Sequence, residues 1–206
     1  YKDHESVIYK QIDPKYSNGV GWARHINSLN ITDEDFYYQI DSHSVFDKNW
    51  DEYLISDFMT AARVHKTNKI VLSNACKVFT IDENGNVFKE QEHGRAYLTV
   101  GFLSEFGVNG FNEYGIPAPH GTFGKQPLTL TVKARHLNGG NLFSHTDYIR
   151  YVGICPYMFL FGEEHYTTLN AFLNGYVILH HPCVHIYHLR DTEFYITKVD
   201  VNPVID

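Results

Sequence analysis

The chain is predicted to be an α/β protein, a mixed sheet flanked by helices, and three observations predict it. Short runs dense in aromatic and β-branched residues, such as Phe36-Tyr37-Tyr38-Gln39-Ile40 and Ile70-Val71-Leu72, alternate with stretches of helical period. Gly, Asn and Pro punctuate the joints between them. The 206 residues, 43 % hydrophobic and 20 % charged, suit one folded domain over 1–206, without internal repeats.

Taken in order, Val7 to Ile12 reads as a strand ended by Asp13-Pro14. Ser17-Asn18-Gly19 is a turn or cap before a short helix from Val20 to Leu29. Phe36 to Ile40 is a buried strand. Trp50 to Val64 is a helix whose core stripe would be Trp50, Tyr53, Leu54, Phe58 and Ala61. Lys69 to Leu72 is another strand. Val78-Phe79-Thr80 and Asn86-Val87-Phe88 flank Glu83-Asn84-Gly85 as a hairpin. Ala96 to Leu103 is a strand, and the Gly- and Pro-rich segment from Phe106 to Gln126 reads as a long surface loop. Leu128 to Ala134 alternates like a strand. Asn138 to Asn141 is a tight turn, and Leu142-Phe143 is short and apolar. Ser144 to Asp147 resembles a helix cap. A helix opens at Gly162-Glu163-Glu164 and is closed by Asn174-Gly175; strands Tyr176 to Leu179 and Val184 to Leu189 follow.

The balance of 17 basic against 24 acidic residues gives −7, which argues against nucleic acid as the main partner. No run approaches about 18 apolar residues, so no membrane partner is expected, and no signal peptide is visible. Three scattered cysteines form no framework and fit a reducing, cytoplasmic setting.

Asp41-Ser42-His43 sits just past the strand Phe36–Ile40. Residues i and i+2 on extended backbone point the same way, so a carboxylate and an imidazole there could share one divalent cation such as Mn²⁺, or simply form a solvated turn. A second cluster places four His in nine residues, from His180 to His188. Strand parity puts Val184, Ile186 and His188 on one face and His185 and Tyr187 on the other, so at most one of the two histidines faces a given site, or they simply sit on a half-exposed strand. Glu163 and Glu164 suit a helix N-terminus through the dipole, or a carboxylate at the mouth of a cleft. Gly139-Gly140-Asn141 permits close approach of backbone to a ligand, or is a plain turn. No GxxxxGK[ST], HExxH or GxSxG motif is present.

The ordered set resembles nucleotide-sugar glycosyltransferases of the GT-A fold, a Rossmann-like mixed sheet flanked by helices. Two retaining groups are most similar: the polypeptide N-acetylgalactosaminyltransferases, and the GlcNAc-transferases that modify Thr or hydroxyproline on cytoplasmic proteins. Gln39-Ile40-Asp41-Ser42-His43, then Phe46, then Trp50-Asp51 resembles the metal-binding segment of the second group. Gly139-Gly140-Asn141-Leu142-Phe143 resembles the Gly-Gly segment lining the donor sugar, and Phe161-Gly162-Glu163-Glu164 the Gly-Glu segment near the acceptor. Pro182-Cys183-Val184-His185-Ile186-Tyr187-His188 resembles Pro-Cys-Ser-His-Val-Gly-His, which selects His188 as third metal ligand. Gly21-Trp22-Ala23-Arg24 resembles the helix before the metal strand. Two departures stand out. One strand precedes that helix where the family opens with a first β-α-β unit, so that unit is expected to be missing. The Trp of the family's Trp-Gly-Gly-Glu is replaced in Leu160-Phe161-Gly162-Glu163.

The resemblance implies a metal-dependent transferase moving a GlcNAc-like sugar from a UDP-sugar to a hydroxyl on a protein or glycan, with retention. Asp41, His43 and His188 would hold Mn²⁺ or another divalent cation. Arg24, Ser42, Gly139, Gly140, Asn141 and Arg190 would bind the donor. Glu163 would be the catalytic carboxylate, orienting the acceptor hydroxyl or the sugar, and Glu164 would face the acceptor. Two other readings remain: a degenerate domain of this fold that binds a glycan or protein without turnover, and a non-haem metal oxygenase using two His and one Asp.

Overall fold

A computed structural model gives the fold and describes residues 4–89, 97–101, 121–127, 132–134, 136–159, 162–180 and 184–189. A five-stranded mixed sheet runs in the order β1 (Phe36–Ile40), β9 (Asn141–His145), β3 (Ile70–Ser73), β10 (Val177–His180), β8 (Val132–Lys133). Only β3 and β10 pair in parallel within it. A four-stranded sheet runs β2 (Ser44–Phe46), β11 (Ile186–Leu189), β4 (Lys77–Ile81), β5 (Val87–Lys89), and β6 (Tyr97–Gly101) pairs with β7 (Gly121–Pro127). The helices are α1 (Val20–Ser28), α2 (Trp50–His65), α3 (Asp147–Tyr151) and α4 (Glu163–Leu173). None is long and apolar enough to cross a membrane.

β3 is the centre of the core: Ile70, Val71 and Leu72 are all fully buried, because parallel and antiparallel partners cover its two edges and helices cover both faces. α2 packs Leu54, Phe58, Ala61 and Ala62 onto one face of this sheet with Phe143 and Leu179. Asp51 and Glu52 in its first turn, and Arg63 and His65 in its last, complement the helix dipole. On the other face α3 and α4 contribute Tyr148 and Ala171 to a cluster with Leu142 and Ile178.

α1 docks backbone to backbone on the segment before α4. The Val20 and Gly21 amides donate to the Phe159 and Met158 carbonyls at 2.7 and 3.0 Å. A Cβ at Gly21 would lie 2.6 Å from the Cys155 and Met158 carbonyl oxygens, so this approach requires glycine. It fixes the direction in which Arg24 leaves the helix.

Several expectations are corrected. Val7 to Ile12 forms no strand: Val7, Ile8, Tyr9 and Ile12 are exposed and no neighbouring strand pairs with them. Strand propensity without a partner gives no ladder. Tyr53 leaves the α2 core stripe and stacks on His185 with ring centroids 4.5 Å apart, while Ala62 joins the core. Residues 121–126 of the expected loop belong to β7, and 106–120 lie outside the described residues. Leu142-Phe143 is the middle of a full strand, β9. The expected cap at Ser144 to Asp147 splits. The Ser144 hydroxyl donates to the Ile70 carbonyl from within β9, and Thr146 precedes α3 while its hydroxyl donates to the Glu34 carbonyl. The hairpin at Glu83-Asn84-Gly85 forms, with Asp82 collecting the Asn84 and Asn86 amides.

Candidate active site

The site lies where the two main sheets meet, at the ends of β1 and β9. β1 ends at Ile40, and Asp41 is the first residue beyond it. The chain then turns, fixed by the Ser44 hydroxyl donating to the Asp41 carbonyl at 2.9 Å, and enters β2. β2 pairs antiparallel with β11, which registers His188 opposite Ser44. That pairing brings the last histidine of the distant cluster to the carboxylate. His188 Nε2 stands 3.4 Å from Asp41 Oδ2, and its ring contacts that of His43 with centroids 4.1 Å apart. His185 points the other way, to Asp47 and Tyr53, as strand parity requires. Burial and the neighbouring His43 hold the His188 imidazole below its ordinary value. Ser42 is exposed, with Oγ 3.4 Å from His43 Nδ1.

One carboxylate with two imidazoles is a donor set that suits Mn²⁺ and related divalent ions. The 3.4 Å between Asp41 Oδ2 and His188 Nε2 matches two ligands each about 2.1 Å from one cation. Among the described residues no three His, Cys, Asp or Glu side chains stand as a formed metal cage, His43 touching His188 by its ring alone. The spacing of Asp41 and His188 fits two ligands of one cation, and the exposed His43 lies beside them.

Facing this pair is the Asn138–Asn141 turn. Gly139 and Gly140 are both buried, and each is glycine for a spatial reason. A Cβ at Gly140 would lie 2.5 Å from Asp41 Oδ2; one at Gly139 would lie 2.8 Å from Arg24 Nη1 and 3.0 Å from Glu163 Oε1. Gln39 donates to the Gly139 carbonyl at 2.7 Å, Tyr38 to Asn141 Oδ1 at 3.0 Å, and the Cys76 thiol to the Gly140 carbonyl at 3.4 Å. Burial pushes that thiol up to about 12, so Cys76 is an inert hydrogen-bond donor here. Asn141 is 1 % exposed, and its Nδ2 has no partner among the described residues. Gln39, Tyr38 and Cys76 carry no site signal in the sequence beyond their place in strands or beside the motif.

α4 begins at Glu163 after Gly162, whose φ of +92° only glycine adopts freely. Its first turn delivers both carboxylates inward. Glu164 Oε1 accepts the Gly139 amide at 2.5 Å. Glu163 Oε1 accepts from Arg24 Nη1, and Arg24 Nη2 donates to Asp41 Oδ1 at 2.9 Å. Arg24, expected above to bind the donor, already serves two carboxylates. Burial holds both Glu carboxyls above their ordinary value, against the lowering effect of Arg24 on Glu163 and of the Gly139 amide on Glu164. Arg190 lies outside the described residues.

A partly buried histidine pair ties α4 to the segment before the turn. His136 and His165 meet at 3.1 Å, Nε2 to Nδ1, and Thr168 accepts the Leu137 amide at 3.0 Å, so α4 holds the whole approach to the turn. Burial, then His165, lowers His136 to about 4. The unfolded imidazole protonates near 6.5, so the unfolded state binds the extra proton between those values. Stability is full above about pH 6.5 and falls as pH drops toward 4, by at most about 1.4 kcal/mol per pH unit from this group. Melting curves between pH 7.5 and 4.5 are expected to fall less steeply in His136→Asn than in the wild type; parallel curves would disprove the assignment.

The layered mixed sheets, with a carboxylate–histidine pair at strand ends beside a Gly-Gly turn, define a GT-A-type glycosyltransferase fold. The chain belongs to the Glycosyltransferase (GlcNAc) family, whose model matches residues 2–195. Solved structures match as well, 47 chains in all. One is a crystal structure of GalNAc-T7 with UDP, GalNAc and Mn²⁺, similar with a TM-score of 0.56 at 14 % identity. The match covers 85 % of this chain and 31 % of that one, so this chain spans about a third of its length. No curated protein matches the sequence.

Proposed function

We propose that the protein is a divalent-metal-dependent glycosyltransferase moving a GlcNAc-like sugar from a UDP-sugar to a hydroxyl of a protein or glycan, with retention. The observation that carries this is the convergence of Asp41 and His188, from different sheets, to 3.4 Å beside His43 and the Gly139-Gly140 turn. The family supports the sugar class, and the ligands of the GalNAc-T7 structure support the donor and the metal. Asp41, His43 and His188 would hold Mn²⁺, which when bound neutralises charge developing on the leaving diphosphate. Ser42 and Arg190 would meet the donor. Gly139, Gly140 and Asn141 would line the donor-sugar pocket with their backbone, while the missing side chains leave room for Asp41, Arg24 and Glu163. Asn141 closes the turn from below through Tyr38. Glu163, half-buried at a helix N-terminus, would orient the acceptor hydroxyl or the sugar, and Glu164 would stand toward the acceptor while holding the Gly139 amide. Cys76 and Cys155 are free of disulfides, in keeping with a cytoplasmic setting.

Calorimetric titration of UDP with and without Mn²⁺ tests the reading. UDP is expected to bind only with the metal, and His43→Ala to weaken it about tenfold or more. Absence of UDP binding in both metal states would overturn the proposal.

A further inference from the structure

We infer that Arg24 is a positioning residue that ties Asp41 to Glu163, and not a ligand of donor phosphates; the inference rests on the transferase reading above. Three elements far apart in sequence meet at its guanidinium: α1, the end of β1 and the first residue of α4. Each carboxylate takes a different terminal nitrogen, Nη1 for Glu163 and Nη2 for Asp41. This divided use needs the planar fork of arginine, since a lysine ammonium is a point charge on a flexible stem. Side-chain exposure is 12 % for Arg24, 13 % for Glu163 and 33 % for Asp41, so the bridge is shielded and its geometry well defined.

The floor under the bridge is specific to it. Gly139 leaves room for Arg24 Nη1 and Glu163 Oε1, which would lie 2.8 and 3.0 Å from any Cβ there. Glu164 holds the amide of the same glycine. Both carboxylates already compensate the guanidinium charge and lie beside any anion that approaches it, so a diphosphate gains little there unless it draws Arg24 away and leaves two shielded carboxylates without their cation. That exchange is unfavourable. Arg24 therefore stays with Asp41 and Glu163 and fixes the catalytic carboxylate relative to the metal side of the site.

The test uses the full chain with Arg24→Gln, Arg24→Lys, Glu163→Gln and the double variant Arg24→Gln/Glu163→Gln. UDP affinity with Mn²⁺ is measured by calorimetry, and kcat and KM by UDP-GlcNAc hydrolysis. Each single variant is expected to lower kcat about a hundredfold through misplacement. The double variant is expected to fall within about threefold of the worse single one, because both break one unit. UDP affinity is expected to stay within about threefold of wild type, and Arg24→Lys to behave like Arg24→Gln, keeping the test intact if the charge-removing variant fails to fold. A loss of UDP affinity of about tenfold or more in Arg24→Gln, with kcat effects that multiply, would make Arg24 a phosphate ligand and overturn the inference alone. A wild type that binds no UDP in either metal state overturns the transferase reading and this inference together.

Discussion

On the proposed metal-dependent reading, Asp41→Asn is expected to lower transfer from a UDP-sugar about a thousandfold, since a cation held there would supply several kcal/mol of charge stabilisation and each 1.36 kcal/mol is tenfold in rate. The substitution keeps the shape of the side chain and removes one charge. That charge faces two ways. Oδ1 receives Arg24 at 2.9 Å and Oδ2 faces His188 at 3.4 Å, so the same carboxylate serves the cation side and the Glu163 side of the site. An amide can present one oxygen or one nitrogen to each, never a carboxylate to both. Stability should fall only modestly, by about 1–2 kcal/mol, because Arg24 keeps Glu163 as a partner and Asp41 is itself a third exposed. Turnover of UDP-GlcNAc and a melting curve on the same preparation check this. Folded protein with wild-type turnover would remove Asp41 from the catalytic machinery. Combining Asp41→Asn with His188→Ala should add little beyond the worse single variant, as both disable one cation site.

The elements that the sequence made legible are those whose pattern is long or whose chemistry is local. α2 announces itself over four turns, and α4 by its Gly-Glu-Glu opening and Asn-Gly close. The β4–β5 hairpin is visible in its turn. β2 is not, because three residues are too few for an alternation to show; it exists because β11 offers Ile186 to His188 as partners. Val7 to Ile12 shows the converse, a good pattern with no strand paired to it among the described residues. The site divides the same way. Asp41-Ser42-His43 is readable as a spacing. Parity narrows His185 and His188 to one, and resemblance chooses between them. Arg24 is readable as a cation near the motif, but its partners are not. Glu163 lies 139 residues away, and the contact depends on how α1 docks on 158–159. The supporting roles of Tyr38 and Gln39 in β1, and of Cys76 between β3 and β4, are silent because residues that hold a turn look like any others.

Gly140→Ala is expected to damage the site far more than the fold. No positive φ is needed at Gly140, so alanine meets no backbone strain there. The main conflict is with Asp41: the new Cβ would stand 2.5 Å from its Oδ2 and 3.1 Å from its Cγ, with Asn138 Oδ1 at 3.3 Å. Asp41 has little room to yield, with Oδ1 held by Arg24 and its carbonyl held by the Ser44 hydroxyl. The carboxylate must turn, and the oxygen that turns is the one facing His188. Overpacking of this kind costs about 1–3 kcal/mol of stability. Divalent-cation affinity should fall about 10- to 100-fold, as when the support of a metal ligand is removed. Gly139→Ala differs, because its Cβ meets Arg24 and Glu163 instead; it should lower turnover with a smaller change in Mn²⁺ affinity. Mn²⁺ titration by electron paramagnetic resonance on the two variants separates these cases. Equal Mn²⁺ affinities for Gly140→Ala and wild type would show that Oδ2 of Asp41 does not reach the cation.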